Sequence, residues 1–184
     1  MPQPVPGGLL GLVPPENSPP LVAALVELAA ENGLTGVNAI LELARPAKEI
    51  KISESHIAEA IGLGLKLPVK IRLDNPLLGS NCYIGSEKAP MWWELTSEAP
   101  NGAPGEVEFL EEGRILKLTN NVIWDDDWEA PAAKGCGGVL LSALIDPVIN
   151  AASGLPDPEN TAVLENTIHN ATTLALRKVD SENP

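Results

Sequence analysis

At 184 residues the chain is long enough to bury a sizeable hydrophobic core and reads as one domain. Twenty-five acidic against twelve basic residues leave a formal net charge of −13, which argues against nucleic-acid and anionic-membrane partners, and no apolar run reaches the length of a membrane span. Eighteen prolines and sixteen glycines imply short elements joined by turns, favouring a sheet-containing fold over a helix bundle.

Residues 1–19 form a Pro/Gly-rich lead, expected to run extended and dock the leucines of Leu9-Leu-Gly-Leu-Val13. It lacks the basic start and long apolar run of an export signal. A helix follows, with Ser18 as its cap, Pro19 in the first position and Asn32-Gly33 as its stop. Leu21, Val22, Leu25, Val26 and Leu28 form its apolar stripe. Residues 37–44 alternate as a strand, residues 48–52 read as a short second strand, and residues 53–61 as one or two helical turns.

Residues 63–74 carry the clearest strand pattern. Leu63, Leu65, Leu67, Val69, Ile71 and Leu73 share one face, with Lys66, Lys70, Arg72 and Asp74 on the other. Pro68 within it predicts an edge strand or a bulge. A turn at Asp74-Asn-Pro76 leads to short strands at 81–85 and 91–95. Residues 106–110 and 114–118 make a hairpin around Glu111-Glu-Gly113, and a turn at Asn120-Asn121 precedes a strand at 122–124. Asp146-Pro147 is expected to start a helix ending at Gly154. Asp157-Pro158 repeats that start, with Leu164, Ile168, Ala171 and Ala175 at helical spacing, although residues 172–176 also fit a strand.

The chain has two cysteines, Cys82 and Cys136, bracketing the β-rich segment. They suit either two buried thiols or one bridge; the bridge is preferred, and closing so long a loop is worth about 4 kcal/mol in a chain-entropy account. Neither sits in a Cys-x-x-Cys pair, so redox catalysis and zinc ribbons are not expected.

Little in the chain carries chemistry. His56 and His169 lie in different elements without cysteines nearby, so no metal site is expected, and neither falls in a nucleophile motif. Asp125, Asp126 and Asp127 are the densest acidic cluster. On an extended chain they point alternately to opposite sides and lack the spacing of a calcium loop, so a solvated turn is the plainer interpretation. A glycosidase pair of carboxylates has no sequence signature here. Trp92, Trp93, Trp124 and Trp128 are the better lead, since tryptophans beside carboxylates stack sugars, against the alternative that they fill the core.

Four motifs carry a resemblance: Leu9-Leu-Gly-Leu-Val-Pro-Pro15, Leu73-Asp-Asn-Pro-Leu-Leu-Gly-Ser-Asn-Cys-Tyr-Ile-Gly-Ser86, Asp125-Asp-Asp-Trp-Glu-Ala-Pro131 and Gly135-Cys-Gly-Gly138. With Leu34-Thr-Gly-Val37, Leu67-Pro-Val-Lys70 and Gly154-Leu-Pro156 in the same order, the chain resembles a group of secreted actinobacterial proteins of unknown function. That resemblance implies a secreted, disulfide-bonded protein whose relatives begin with a signal peptide and a further N-terminal region. The chain then corresponds to the C-terminal portion, with the export signal missing. Trp124 stands where relatives tend to carry an apolar residue and Asp126 where they tend to carry Asn; no catalytic residue is implied.

The expectation is therefore an α+β domain over residues 20–180 with a frayed tail at 181–184. It is mainly antiparallel sheet, as a sandwich or partial barrel, with a helix before it, helices near the end and one disulfide. The expected role is that of an extracellular or cell-envelope protein acting through a binding or structural surface, without cofactor. The partner is unknown, with cell-wall polysaccharide or an envelope protein as candidates. A carbohydrate-binding module using the tryptophans, and a carboxylate-based hydrolase, are the alternatives.

Overall fold

The computed structural model describes residues 2–171, the side chains of residues 111 and 171 excepted. The chain is α+β with antiparallel strand pairing and one disulfide, Cys82–Cys136. Its residues group into two compact units. The first takes residues up to Glu49, Leu67–Trp92 and Asp127–Asn160; the second takes Ile50–Lys66, Trp93–Asp126 and the described residues from Thr161 on.

In the first unit, strands β1 (Gln3–Pro4), β2 (Asn38–Leu43), β4 (Leu65–Asp74), β5 (Tyr83–Ile84) and β9 (Ala133–Lys134) lie side by side in that order. β2 runs against β4 with Glu42 opposite Lys70 and Ile40 opposite Arg72. Arg72 in turn lies opposite Tyr83, and Tyr83 opposite Lys134. Side chains alternate across a strand, so one face carries Ala39, Ile71, Leu73, Ile84 and Ala133. These pack with helices α1 (Gly8–Leu12), α2 (Pro20–Glu31) and α4 (Gly138–Ser153) in one core. The other face carries Glu42, Lys70, Arg72, Tyr83 and Lys134.

The helices differ from expectation in instructive ways. The lead is not extended throughout: Gly8–Leu12 is a helix that buries Leu9 and Leu12, followed by a single 3-10 turn at Pro15–Asn17. Ser18 does not cap α2, because its hydroxyl donates to the Pro14 carbonyl; Pro19 is the flanking residue and Pro20 opens the helix. The core takes Val22, Val26 and Ala29, while Leu21 and Leu28 stay exposed. The apolar set is wide enough for two stripes, and the one that faces the sheet is chosen by packing. α4 begins at Gly138 rather than at Pro147, which sits inside it. Leu141, Ile145, Val148 and Ile149 keep helical spacing into the core across the proline.

Strand β4 is flanked by β2 and β5, so Pro68 is not on an edge strand; its carbonyl accepts from the Ala44 N–H. Asn75, in the turn after β4, is buried and fastens the chain. Its carboxamide donates to the Leu34 and Gly36 carbonyls and accepts from the Leu77 N–H.

The second unit holds β3 (Lys51–Ile52), which pairs with the start of β4, and helix α3 (Glu54–Glu59), within the one or two turns expected at residues 53–61 and capped by Ser53, whose side chain accepts the His56 N–H. It holds the Trp93–Leu95 part of β6 (Met91–Leu95), the hairpin of β7 (Glu106–Leu110) with β8 (Ile115–Ala130), and much of β10 (Asp157–Ala171), which pairs with β8. Asn120 does not turn the chain. It takes a left-handed φ of 57° inside β8, facing Gly105 at φ 76°, and the register of β8 continues past it from Thr119 opposite Glu106 to Val122 opposite Ala103. Asn tolerates that conformation better than most residues. β10 replaces the expected second C-terminal helix. Ala162, Leu164, Asn166 and Ile168 turn inward against exposed Thr161, Val163, Glu165, Thr167 and His169. Residues four apart satisfy both periods, and the β-branched residues between them favour the strand. The alternative strand at 172–176 and the tail at 181–184 lie outside the described residues.

Candidate functional site

The predicted tryptophan and aspartate residues divide between the units. Trp92 and Trp128 belong to the first, with Asp127; Trp93, Trp124, Asp125 and Asp126 belong to the second. The acidic run is not a turn but part of β8. Trp124 is buried, and its indole N–H donates to the Glu98 carbonyl at 2.8 Å. Asp125 is buried and accepts the Glu94 backbone N–H at 2.6 Å. These two bind the second unit's own backbone. Asp126 and Asp127 are exposed, and Trp92, Trp93 and Trp128 are half-buried. Among the described residues no group of three or more His, Cys, Asp or Glu side chains is placed to hold a metal ion.

A different set of residues converges on the outer face of β4, β5 and β9. Glu42 is its hub: it accepts from Arg72 Nε at 2.9 Å and from the Tyr83 hydroxyl at 3.4 Å, and lies 3.7 Å from Lys70 Nζ. Arg72 also donates to Asp74 at 2.8 Å. The hydrogen bond from Arg72, helped by the Lys70 charge and opposed by partial desolvation, holds the Glu42 carboxyl below its ordinary value. Lys70 Nζ stands 4.5 Å from the centre of the Tyr83 ring, within reach of a cation–π contact. Lys134, across from Tyr83 on β9, is exposed and has no carboxylate at ion-pair distance among the described residues.

Beside this cluster a cleft of about 330 Å³ opens in the first unit. Lys70, Tyr83 and Gly85 line one part of it, Ser86, Glu87 and Ala89 a loop wall, and Pro131, Ala132 and Lys134 the side towards β9. Its volume is at the small end of ligand clefts, about 300–1,000 Å³.

The disulfide and α4 hold the cleft's two strands in place. Cys82 and Cys136 are fully buried in the helix-side core, while their neighbours Asn81, Tyr83 and Gly135 line the cleft. Gly135 takes φ +80°, and a Cβ there would meet the Asn81 carbonyl oxygen at 2.3 Å. That conformation breaks the strand alternation, so that Ala133 and Cys136 both turn inward and Lys134 stays outside. On α4, one turn apart, Asp146 and Asn150 close the free edge of β9. Asp146 accepts the Gly135 and Cys136 N–H groups, and the Asn150 amide both accepts the Ala133 N–H and donates to its carbonyl.

Sequence reasoning passed over Tyr83 and Lys134. The available signal was alternation: if Cys82 faces the core, Tyr83 must face outward, on the side of Lys70 and Arg72. Lys134 had no such signal, because its orientation depends on the backbone at Gly135.

No protein-family model matches the chain, and no curated protein or solved structure is similar to it.

Proposed function

We propose that this chain is a binding protein of an oxidising, extracytoplasmic compartment, with the Tyr83 cleft as its ligand-contacting surface. Membership of the secreted actinobacterial group that it resembles is part of the same proposal. The observation that carries it is the framing of the cleft. Asn81 and Tyr83 beside Cys82, and Gly135 beside Cys136, line it, and two side chains of α4 tie down the strand on its far side. A rigid, covalently braced frame around an open cleft is what recognition requires, because ligand positions are then set before binding. The bridge itself supports an oxidising compartment, where disulfides persist.

Amide chemical-shift mapping of the ¹⁵N-labelled protein against a panel of glycans and small peptides tests the proposal. Saturable shifts centred on Tyr83, Ser86 and Lys134 are expected, and Tyr83→Ala is expected to weaken them at least ten-fold. Shifts that centre instead on Trp92 and Trp128, or on Trp93, would favour the tryptophan-based carbohydrate module. A panel that moves no amide of the cleft overturns the cleft assignment. For the compartment, recovery of the native protein from the cytoplasmic fraction with Cys82 and Cys136 reduced counts against export.

A further inference from the structure

We infer that the Tyr83 cleft takes a carboxylated saccharide, with its carboxylate on the Lys134 ammonium; the inference rests on the binding role proposed above. The cations of this sheet face are unequal. Arg72 is held by Glu42 and Asp74, and Lys70 is engaged with Glu42 and the Tyr83 ring. Lys134 lines the cleft, is exposed and has no carboxylate partner among the described residues. In a chain of net charge −13, that is an uncompensated positive charge where a ligand would lie.

The rest of the lining has the chemistry of sugar recognition. Pro131, Ala132 and Ala89 offer small apolar surfaces, and the Tyr83 ring a larger one, for the C–H face of a pyranose. The Asn81 carboxamide is exposed, and the Ser86 hydroxyl, which accepts the Ala89 N–H at 3.1 Å, still has its proton to donate. Glu87 adds an exposed acceptor for ligand hydroxyls, and its charge suits a ligand with one anionic group rather than several. A phosphate monoester would bring close to two negative charges, more than the Lys134 ammonium offsets beside the Glu87 carboxylate. A peptide added as a strand would need an open backbone edge, and Asn150 occupies that of β9.

The test is a ¹⁵N NMR titration of the full chain with a disaccharide of glucuronate and N-acetylglucosamine, with its carboxyl-reduced counterpart, and with trialanine. An exposed ion pair is a weak determinant, so the acidic disaccharide is expected to bind about five-fold tighter than the neutral one at low salt, the ratio shrinking as salt rises. Lys134→Gln, at an exposed position, is expected to erase that preference, so that the two sugars bind alike, and Lys134→Arg to keep it. Equal binding of the two sugars at the cleft, or a preference that survives Lys134→Gln, overturns the inference while leaving the cleft as a binding site. Trialanine binding there in place of either sugar makes it a peptide site and overturns the inference. Silence of the cleft amides with all three probes overturns it as well, and the wider panel then decides whether the cleft binds anything.

Discussion

Glu42 shows how one side chain organises a surface. Its carboxylate meets the Arg72 guanidinium, the Lys70 ammonium and the Tyr83 hydroxyl, and these contacts favour its charged form. A carboxyl whose folded value lies below its unfolded value stabilises the fold above the unfolded value, and that contribution fades as pH falls through the folded one. Urea melts of the native protein should therefore lose stability on acidification below the ordinary carboxyl value of about 4.5, and Glu42→Gln should flatten part of that slope. At neutral pH the same substitution is expected to cost about 1 kcal/mol, since the cluster is partly solvent-screened. Gly135 is the sharper case. A Cβ at 2.3 Å from the Asn81 carbonyl, on a backbone at φ +80°, leaves no adjustment that keeps β5 and β9 paired. Gly135→Ala is expected to destabilise by about 1–3 kcal/mol, read from chemical denaturation.

At the scale of elements, α4 does two jobs with opposite chemistry. Its apolar residues Ile145, Val148 and Ile149 enter the core, while Asp146 and Asn150, four residues apart, act as a surrogate strand for β9. Neighbours at that spacing share a helix face, so the helix can meet a sheet edge and a core together. Removing either polar side chain leaves backbone groups of residues 133–136 without their partner, a loss of about 1–3 kcal/mol for each substitution. Asp146→Ala should raise hydrogen exchange at Gly135 and Cys136, and Asn150→Ala at Ala133. Exchange unchanged at those amides would mean that α4 does not hold the edge. The pairing of Asp146 with Pro147 looks like a helix start in the sequence, because a short acid before proline usually is one. Here the proline is carried inside the helix and the acid caps a neighbouring loop instead.

For the molecule as a whole, the bridge between Cys82 and Cys136 is the main covalent constraint. It closes a separation of 54 residues, and its loss is expected to cost about 4 kcal/mol if chain entropy dominates. Urea midpoints with and without reduction measure this, and alkylation before and after reduction, followed by intact mass, confirms which thiols were exposed. Cys82→Ala with Cys136→Ala should lower the midpoint and also weaken ligand shifts at Tyr83, because both strands of the cleft hang from that bridge. Unchanged binding in the double variant would place the cleft's rigidity in α4 alone.

Much of this was legible from residues alone. The α+β class, antiparallel pairing, the hairpin at 106–118, the helical turns at 53–61 and the pairing of the two cysteines follow from local rules: alternation, turn residues and cysteine count. What those rules could not decide was which of two compatible patterns packing would select. Leu21 and Leu28 are as apolar as Val22 and Val26, yet the sheet takes only the valines. Leu164 and Ile168 are four apart and so satisfy helix and strand alike, until pairing with β8 makes the segment a strand. The cleft is the extreme case, since Lys70, Tyr83 and Lys134 come from three strands. They meet because of register, a disulfide and one left-handed glycine. A local sequence pattern records which way a side chain can point along its own element; only long-range pairing decides what it will face.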